Sequence, residues 1–330
     1  MITKTKSLKV ENISMIIACA LFVLMFVAGS AMYDHFGSVS TFLNLFNDNA
    51  YLIVVAVGIT FVLLTGGIDI SVSSVVAFTC VFSAFLLQRG CPAFIVIPVV
   101  LLVGLLNGFL IGYCVQVFHI QPFIITLASQ FLLRGMCAVV STVSIPIEND
   151  FYKAAALSKL SFKVGRANAK FYLYVFLALI VVFIAYYVLK YTRFGRTVYA
   201  IGSNELSAGY MGLDVKRVKI GVYMISGFCA ALGGVIFSFY TLAGYSLQNM
   251  GMELDAISSA VIGGTLLTGG VGNVWGSVIG VLIQGVIQTI VTYQNLNAWW
   301  TRVTIAALLC LFIVLQRIIS IRADRQKGKG

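Results

Sequence analysis

Tyr51–Leu87 reads YLIVVAVGITFVLLTGGIDISVSSVVAFTCVFSAFLL, and in these 37 residues the only formal charge is Asp69. It sits in a glycine-containing break, Thr65-Gly66-Gly67-Ile68-Asp69-Ile70-Ser71. The whole stretch has room for two membrane spans of about 18 residues each, roughly the length of helix that a 30 Å bilayer core requires. The chain therefore turns in or near a membrane with an acid at the turn. A carboxylate at mid-bilayer costs about 2.5–3.5 kcal/mol, so Asp69 is expected to face protein or water instead of lipid.

The rest of the chain has the same character. Its 330 residues are 60% hydrophobic and 10% charged, with 4 prolines and a mean hydropathy of +1.00. No soluble domain of useful size fits between the apolar runs. The expected fold is an all-α integral membrane protein, a single transmembrane domain over residues 1–330. About ten helices are predicted, at residues 13–33, 48–65, 70–88, 93–117, 122–143, 171–189, 219–242, 254–268, 273–292 and 299–316. The first follows Lys4, Lys6 and Lys9 and resembles a signal peptide, but its long apolar part and the lack of a clear cleavage site make it a retained helix.

A net charge of +11 could suggest nucleic acid, but its distribution argues for topology. Residues 1–12 carry three Lys against one acid, residues 190–219 six Lys or Arg against Glu205 and Asp214, and residues 317–330 five against Asp324. Ten spans put all three segments on one side, which the positive-inside rule makes the cytoplasm, with both termini there. The segment 144–170, with Lys153, Lys159, Lys163, Arg166 and Lys170, departs from the rule on the opposite side. The seven cysteines are scattered without C-x-x-C spacing and read as small packing residues. No phosphate loop or nucleophile elbow is present, so no cofactor and no nucleotide is expected on this chain.

A second apolar stretch, Ala256–Val291, spans 36 residues around the break Gly263-Gly264-Thr265-Leu266-Leu267-Thr268-Gly269-Gly270-Val271-Gly272-Asn273. Paired interrupted segments in corresponding halves point to a transport site, because unwound backbone and helix ends offer dipoles to a polar solute. Close helix packing is the competing explanation of the glycines. The candidate path or gate is Gly66, Gly67, Asp69, Ser71, Asn107, Arg134, Gly263 and Gly264. Arg134 lies about 18 Å into the span from Pro122 and either pairs, lines an aqueous path or snorkels. Asn107, Thr126, Ser129 and Gln130 are also intramembrane, where interhelical hydrogen bonding competes with solute contact.

The one long loop of the basic side, Lys190–Lys219, contains Gly202-Ser203-Asn204-Glu205-Leu206-Ser207-Ala208-Gly209-Tyr210-Met211-Gly212. Ser203 or Asn204 can cap a short helix that Gly212 stops, with Glu205 in its first turn. Leu206, Tyr210 and Met211 are then left for a partner or for the headgroups.

The run from Ala56 to Val72 resembles the signature of the ribose-type permeases of bacterial ABC sugar importers. So do Pro122-Phe123-Ile124-Ile125-Thr126-Leu127 with Leu133-Arg134-Gly135, Thr192-Arg193-Phe194-Gly195-Arg196 with Ala200-Ile201-Gly202-Ser203-Asn204, and Ile262-Gly263-Gly264-Thr265 with Gly269-Gly270. Asp48-Asn49-Ala50, Ser144-Ile145-Pro146-Ile147 and Trp299-Trp300 are similar to the galactofuranose importers of that family, which pair two homologous permeases. Ser73 stands where the family usually has Gly. The resemblance implies a separate ABC ATPase subunit, a second permease subunit, homologous or identical, and an extracytoplasmic sugar-binding protein, in a bacterial inner membrane. It also implies an ATPase-coupling role for Gly202, Asn204, Glu205, Leu206, Ala208, Tyr210, Met211 and Gly212. The rival readings are a secondary transporter using Asp69 as an ion or proton site, and a membrane-embedded enzyme, for which no His, Cys or carboxylate cluster converges.

Overall fold

A computed structural model of the chain describes residues 3–164, 167–297 and 299–327. Both chain ends, Arg166 and the side chains of the terminal basic segments 3–12 and 317–327 lie outside the described residues. In chain order the elements are α1 (Thr3–Met32), α2 (Val39–Leu64), α3 (Val72–Gln88), α4 (Ala93–Val117) and α5 (Pro122–Val140), then β1 (Ile145–Pro146), α6 (Asp150–Leu157), β2 (Lys159–Val164) and β3 (Ala167–Tyr172). There follow α7 (Leu173–Tyr191), α8 (Arg193–Ser203), α9 (Glu205–Tyr210), α10 (Val215–Thr241), β4 (Ala243–Gly244), α11 (Met252–Ile262), α12 (Val274–Tyr293) and α13 (Trp299–Lys327).

The architecture is helical, as the apolar runs require. Seven of the described helices are long and apolar enough to cross a bilayer. Three of the ten expected spans are shorter: α3 has 17 residues, α11 has 11, and the apolar part of α13 is Trp299–Val314. The helix expected over 254–268 stops at Ile262 because Gly264, with φ +101°, leaves the helical region. Two small antiparallel pairs add to the helices, β1 with β4 and β2 with β3. The second pair lies in the basic segment that the sequence left without assigned structure.

Helix α2 is apolar all round and forms the centre, with every residue from Leu52 to Leu64 buried. Helices α4 and α10 meet through glycine. Gly104, Gly108 and Gly112 recur every fourth residue on one face of α4, and a Cβ on any of them would run into α10 at Gly227, Tyr223 or Ile220. Small residues at this spacing let membrane helices approach to backbone contact, which compensates for the weak hydrophobic drive between helices in lipid.

Contacts divide the bundle into two ends. At one end Asn47 of α2 donates through Nδ2 to the Lys170 carbonyl at 2.9 Å and accepts from the Tyr172 N–H at 3.2 Å, fastening the β2–β3 hairpin. Tyr33 and Gln294 meet there too, at 2.7 Å. The opposite end carries α8 and α9, where Lys219 of α10 pairs with Glu205 at 2.6 Å. Segment 242–251 turns back into the bundle after α10, since Gly244 packs on the carbonyl of Cys80, midway along α3.

Candidate translocation and coupling site

The first break starts where the Gly66 and Gly67 N–H groups still bond back to Leu63 and Val62, closing α2. Gly66 has φ +77°, a region that side chains with a Cβ enter at a cost of about 1–2 kcal/mol. Gly67 is packed so closely on the Tyr223 hydroxyl that a Cβ there would displace it. The chain then rises to Asp69, which is 1% exposed.

Asp69 is fully engaged by protein. Its Oδ1 accepts from the Ser71 N–H at 3.0 Å and the Ser71 hydroxyl at 2.7 Å, and its Oδ2 accepts from Ser226 Oγ of α10 at 2.7 Å. Ser226 lies 11 residues along α10, about 16 Å from its first residue at the helical rise of 1.5 Å. The carboxyl group therefore fixes the entry of α3 and staples the break to α10 well inside the bundle.

Arg134 is satisfied in a different way. Its Nη1 donates to the carbonyls of Ser246 and Gln248, each at 2.8 Å, and its Nη2 to the carbonyl of Ser73 at 3.4 Å. No ion pair joins it to Asp69 among the described residues. Arg302 holds the same 242–251 segment from the side of α13 through Nη2 to the Met250 carbonyl at 2.8 Å. Asn107 accepts from Ser129 Oγ at 2.7 Å, joining α4 to α5.

The second break is built from glycine contacts. Gly263 lies backbone to backbone against Gly276, and Gly264, Gly269 and Gly270 have φ of +101°, +84° and +76°. Its N–H at Gly270 donates to the Leu64 carbonyl at 2.9 Å, so the two breaks meet directly. Gly202, near the end of α8, completes this seam, because a Cβ there would strike both the Leu64 carbonyl and the Gly270 nitrogen. Tyr199 of α8 adds a hydrogen bond from its hydroxyl to the Gly272 carbonyl at 2.9 Å.

The predicted path residues are thus divided. Gly66, Gly67, Asp69, Ser71, Gly263 and Gly264 belong to the two breaks, whereas Asn107 and Arg134 belong to a separate polar cluster on α4 and α5. Of the loop residues, Gly202 is in the seam and Asn204 caps α9 by accepting from the Ser207 N–H at 2.8 Å. Gly212 closes α9 with φ +75°, and Ala208 is buried. Leu206, Tyr210 and Met211 are 74%, 90% and 67% exposed, an apolar cap with no cover among the described residues.

Sequence reasoning did not find α8, the seam role of Gly202 and Tyr199, or the burial of Glu253. Thr192 is the available signal for α8, since its hydroxyl caps the Gly195 N–H at 3.1 Å. Apolar Val198 and Ile201 follow one turn apart and are buried.

Comparison with known proteins agrees with this architecture. Residues 41–313 match the family described as the branched-chain amino acid transport system permease component. The chain is 44% identical to the inner membrane ABC transporter permease protein YjfF of Escherichia coli over 96% of each chain. It is 38% identical to the fructose import permease protein FruG of Bifidobacterium longum, over 96% of this chain and 94% of that one. It is 36% identical to the ribose import permease protein RbsC of Haemophilus influenzae, over 90% of each. No solved structure matches the chain. With a family match over residues 41–313 and relatives 36–44% identical over nine-tenths or more of its length, the chain belongs to the permease component family of the branched-chain transport systems, on the branch occupied by ribose-type ABC permeases.

Proposed function

We propose that the chain is the membrane permease subunit of an ATP-driven monosaccharide importer, with galactofuranose or a close relative as its sugar. It lies in a bacterial inner membrane with both termini in the cytoplasm. A separate ABC ATPase subunit docks on α8 and α9, a second permease subunit completes the path, and an extracytoplasmic sugar-binding protein delivers the solute. The observation that carries this reading is the seam of Leu64, Gly202 and Gly270, which puts α8 in backbone contact with both breaks. A push on α8 is then a push on the segments that interrupt the helices. The exposed Leu206, Tyr210 and Met211 supply the apolar docking surface, and the names of the relatives favour a sugar over an amino acid.

Met211→Glu is expected to leave membrane insertion intact, to lower recovery of the ATPase on purification and to reduce transport at least several-fold. Unchanged ATPase recovery and transport reject the docking role. Transport into right-side-out vesicles that needs internal ATP and ignores an uncoupler separates this reading from a secondary transporter using Asp69. In a cysteine-free background, a cysteine at Gly330 is expected to resist an impermeant thiol reagent in intact cells and one at Lys159 to react. The reverse pattern overturns the orientation.

A further inference from the structure

Around Arg134 the bundle holds polar groups that neither the seam nor the docking surface uses. Thr126, Ser129, Gln130 and Arg134 follow one another along one face of α5. Ser129 reaches Asn107 on α4, Gln130 Nε2 donates to Glu253 Oε1 at 3.2 Å, and Arg134 holds Ser246, Gln248 and the start of α3. These bonds gather α3, α4, α5, segment 242–251 and the first turn of α11 into one cluster.

Within that cluster five sealed polar atoms have no hydrogen-bond partner: Ser73 Oγ, Asn107 Nδ2, Gln248 Nε2, Asn249 Nδ2 and Glu253 Oε2. Glu253 is 8% exposed and Ser73 fully buried. Folded proteins pair nearly all such atoms, so five of them on four elements joined by this one hydrogen-bond network call for a ligand that satisfies them. Their chemistry is mixed: three amide donors, one carboxyl acceptor and one hydroxyl that does either. A cation would find three donors and a guanidinium facing it, and an anion would find Arg134 already committed to carbonyls. A neutral solute with several adjacent hydroxyl groups, each both donor and acceptor, matches the set.

We propose that Ser73, Asn107, Gln248, Asn249 and Glu253 form the hydroxyl-recognising station of the path, a specificity-determining site for a monosaccharide. This rests on the sugar-import reading above. Segment 242–251 covers the station, so a sugar enters when that segment parts from α5, and Arg134 rebinds the segment's carbonyls behind it.

The test is uptake of ribose, fructose, allose, galactose and galactofuranose, each with its single-deoxy analogues, by the complete transporter in vesicles. The variants are Ser73→Ala and Asn107→Ala, with Ser83→Ala, ten residues further along α3, as the control. For each sugar the ratio of variant to wild-type rate cancels the contribution of the binding protein, which is the same in both. Loss of one hydrogen bond to a neutral group should lower the rate for the full sugar about three- to tenfold, and the loss should vanish for the analogue lacking the matching hydroxyl. Ser83→Ala should show no such dependence. As a second measurement, Ser73→Cys in a background without the seven native cysteines should react with a small hydrophilic thiol reagent during turnover and be protected by the transported sugar. Equal losses for every analogue, no loss, or no protected labelling overturns the station while leaving sugar import standing. A wild-type transporter that takes up none of the sugars overturns both.

Discussion

The two glycine breaks do the same job with opposite chemistry. The first, 65–71, is held by a carboxyl group that accepts three hydrogen bonds, and only Gly66 in it requires a left-handed backbone. The second, 263–273, has no charge and is held by missing side chains, with three left-handed glycines and the backbone contact of Gly263 with Gly276. A break fastened by hydrogen bonds tolerates a change of backbone residue better than a change of polar group. A break fastened by close approach behaves in the reverse way.

The largest expected effect follows from the second kind. Gly263→Val drives three carbons into the backbone of α12, and should lower stability by about 3 kcal/mol or more, read as loss of a monodisperse peak in detergent and of the thermal transition. Next comes Asp69→Leu, which strands the Ser71 N–H and two hydroxyls in a buried place, at about 2–3 kcal/mol in the same melting assay. Asp69→Asn should cost about 1 kcal/mol or less and keep most transport, because its carbonyl oxygen still accepts from Ser71 and the Ser226 hydroxyl can turn to accept from its amide. An Asn variant that inserts normally but does not transport would show that the charge itself matters. The smallest stability effect of a backbone change is Gly66→Ala, with a Cβ that meets only the Thr268 carbonyl at 3.4 Å, so it should cost about 1–2 kcal/mol from its φ alone. If Gly66→Ala melts as low as Gly263→Val, the contrast between the breaks fails.

Much of this was legible in the chain. The span expected over 93–117 coincides with Ala93–Val117 because Pro92 marks its start and the apolar run continues to Val117. Both breaks were found from glycine clustering, since residues without a Cβ are needed where the backbone leaves the helical region. The partners of Asp69 and Arg134 were not legible, because Arg134 is bonded across 112 and 114 residues of sequence and Asp69 across 157. Helix α8 was hidden by Arg193 and Arg196, which dilute its apolar face, and the re-entry of 242–251 depends on an arginine in another helix. Local pattern specifies where helices start and stop; which carbonyl a distant guanidinium finds is a property of the packed bundle.

The bond between Asp69 and Ser226 also sets a clock for synthesis. A ribosome adding about 5–20 residues per second takes roughly 8–30 s to make the 157 residues that separate the two. Through that interval the acid is already near the bilayer and its cross-helix partner does not yet exist. Ser71, only two positions away, is available almost at once and supplies two of the three donors from the growing chain itself. The local pair thus acts as a temporary chaperone for the carboxyl group, and the arrival of α10 converts a short-range arrangement into a permanent joint.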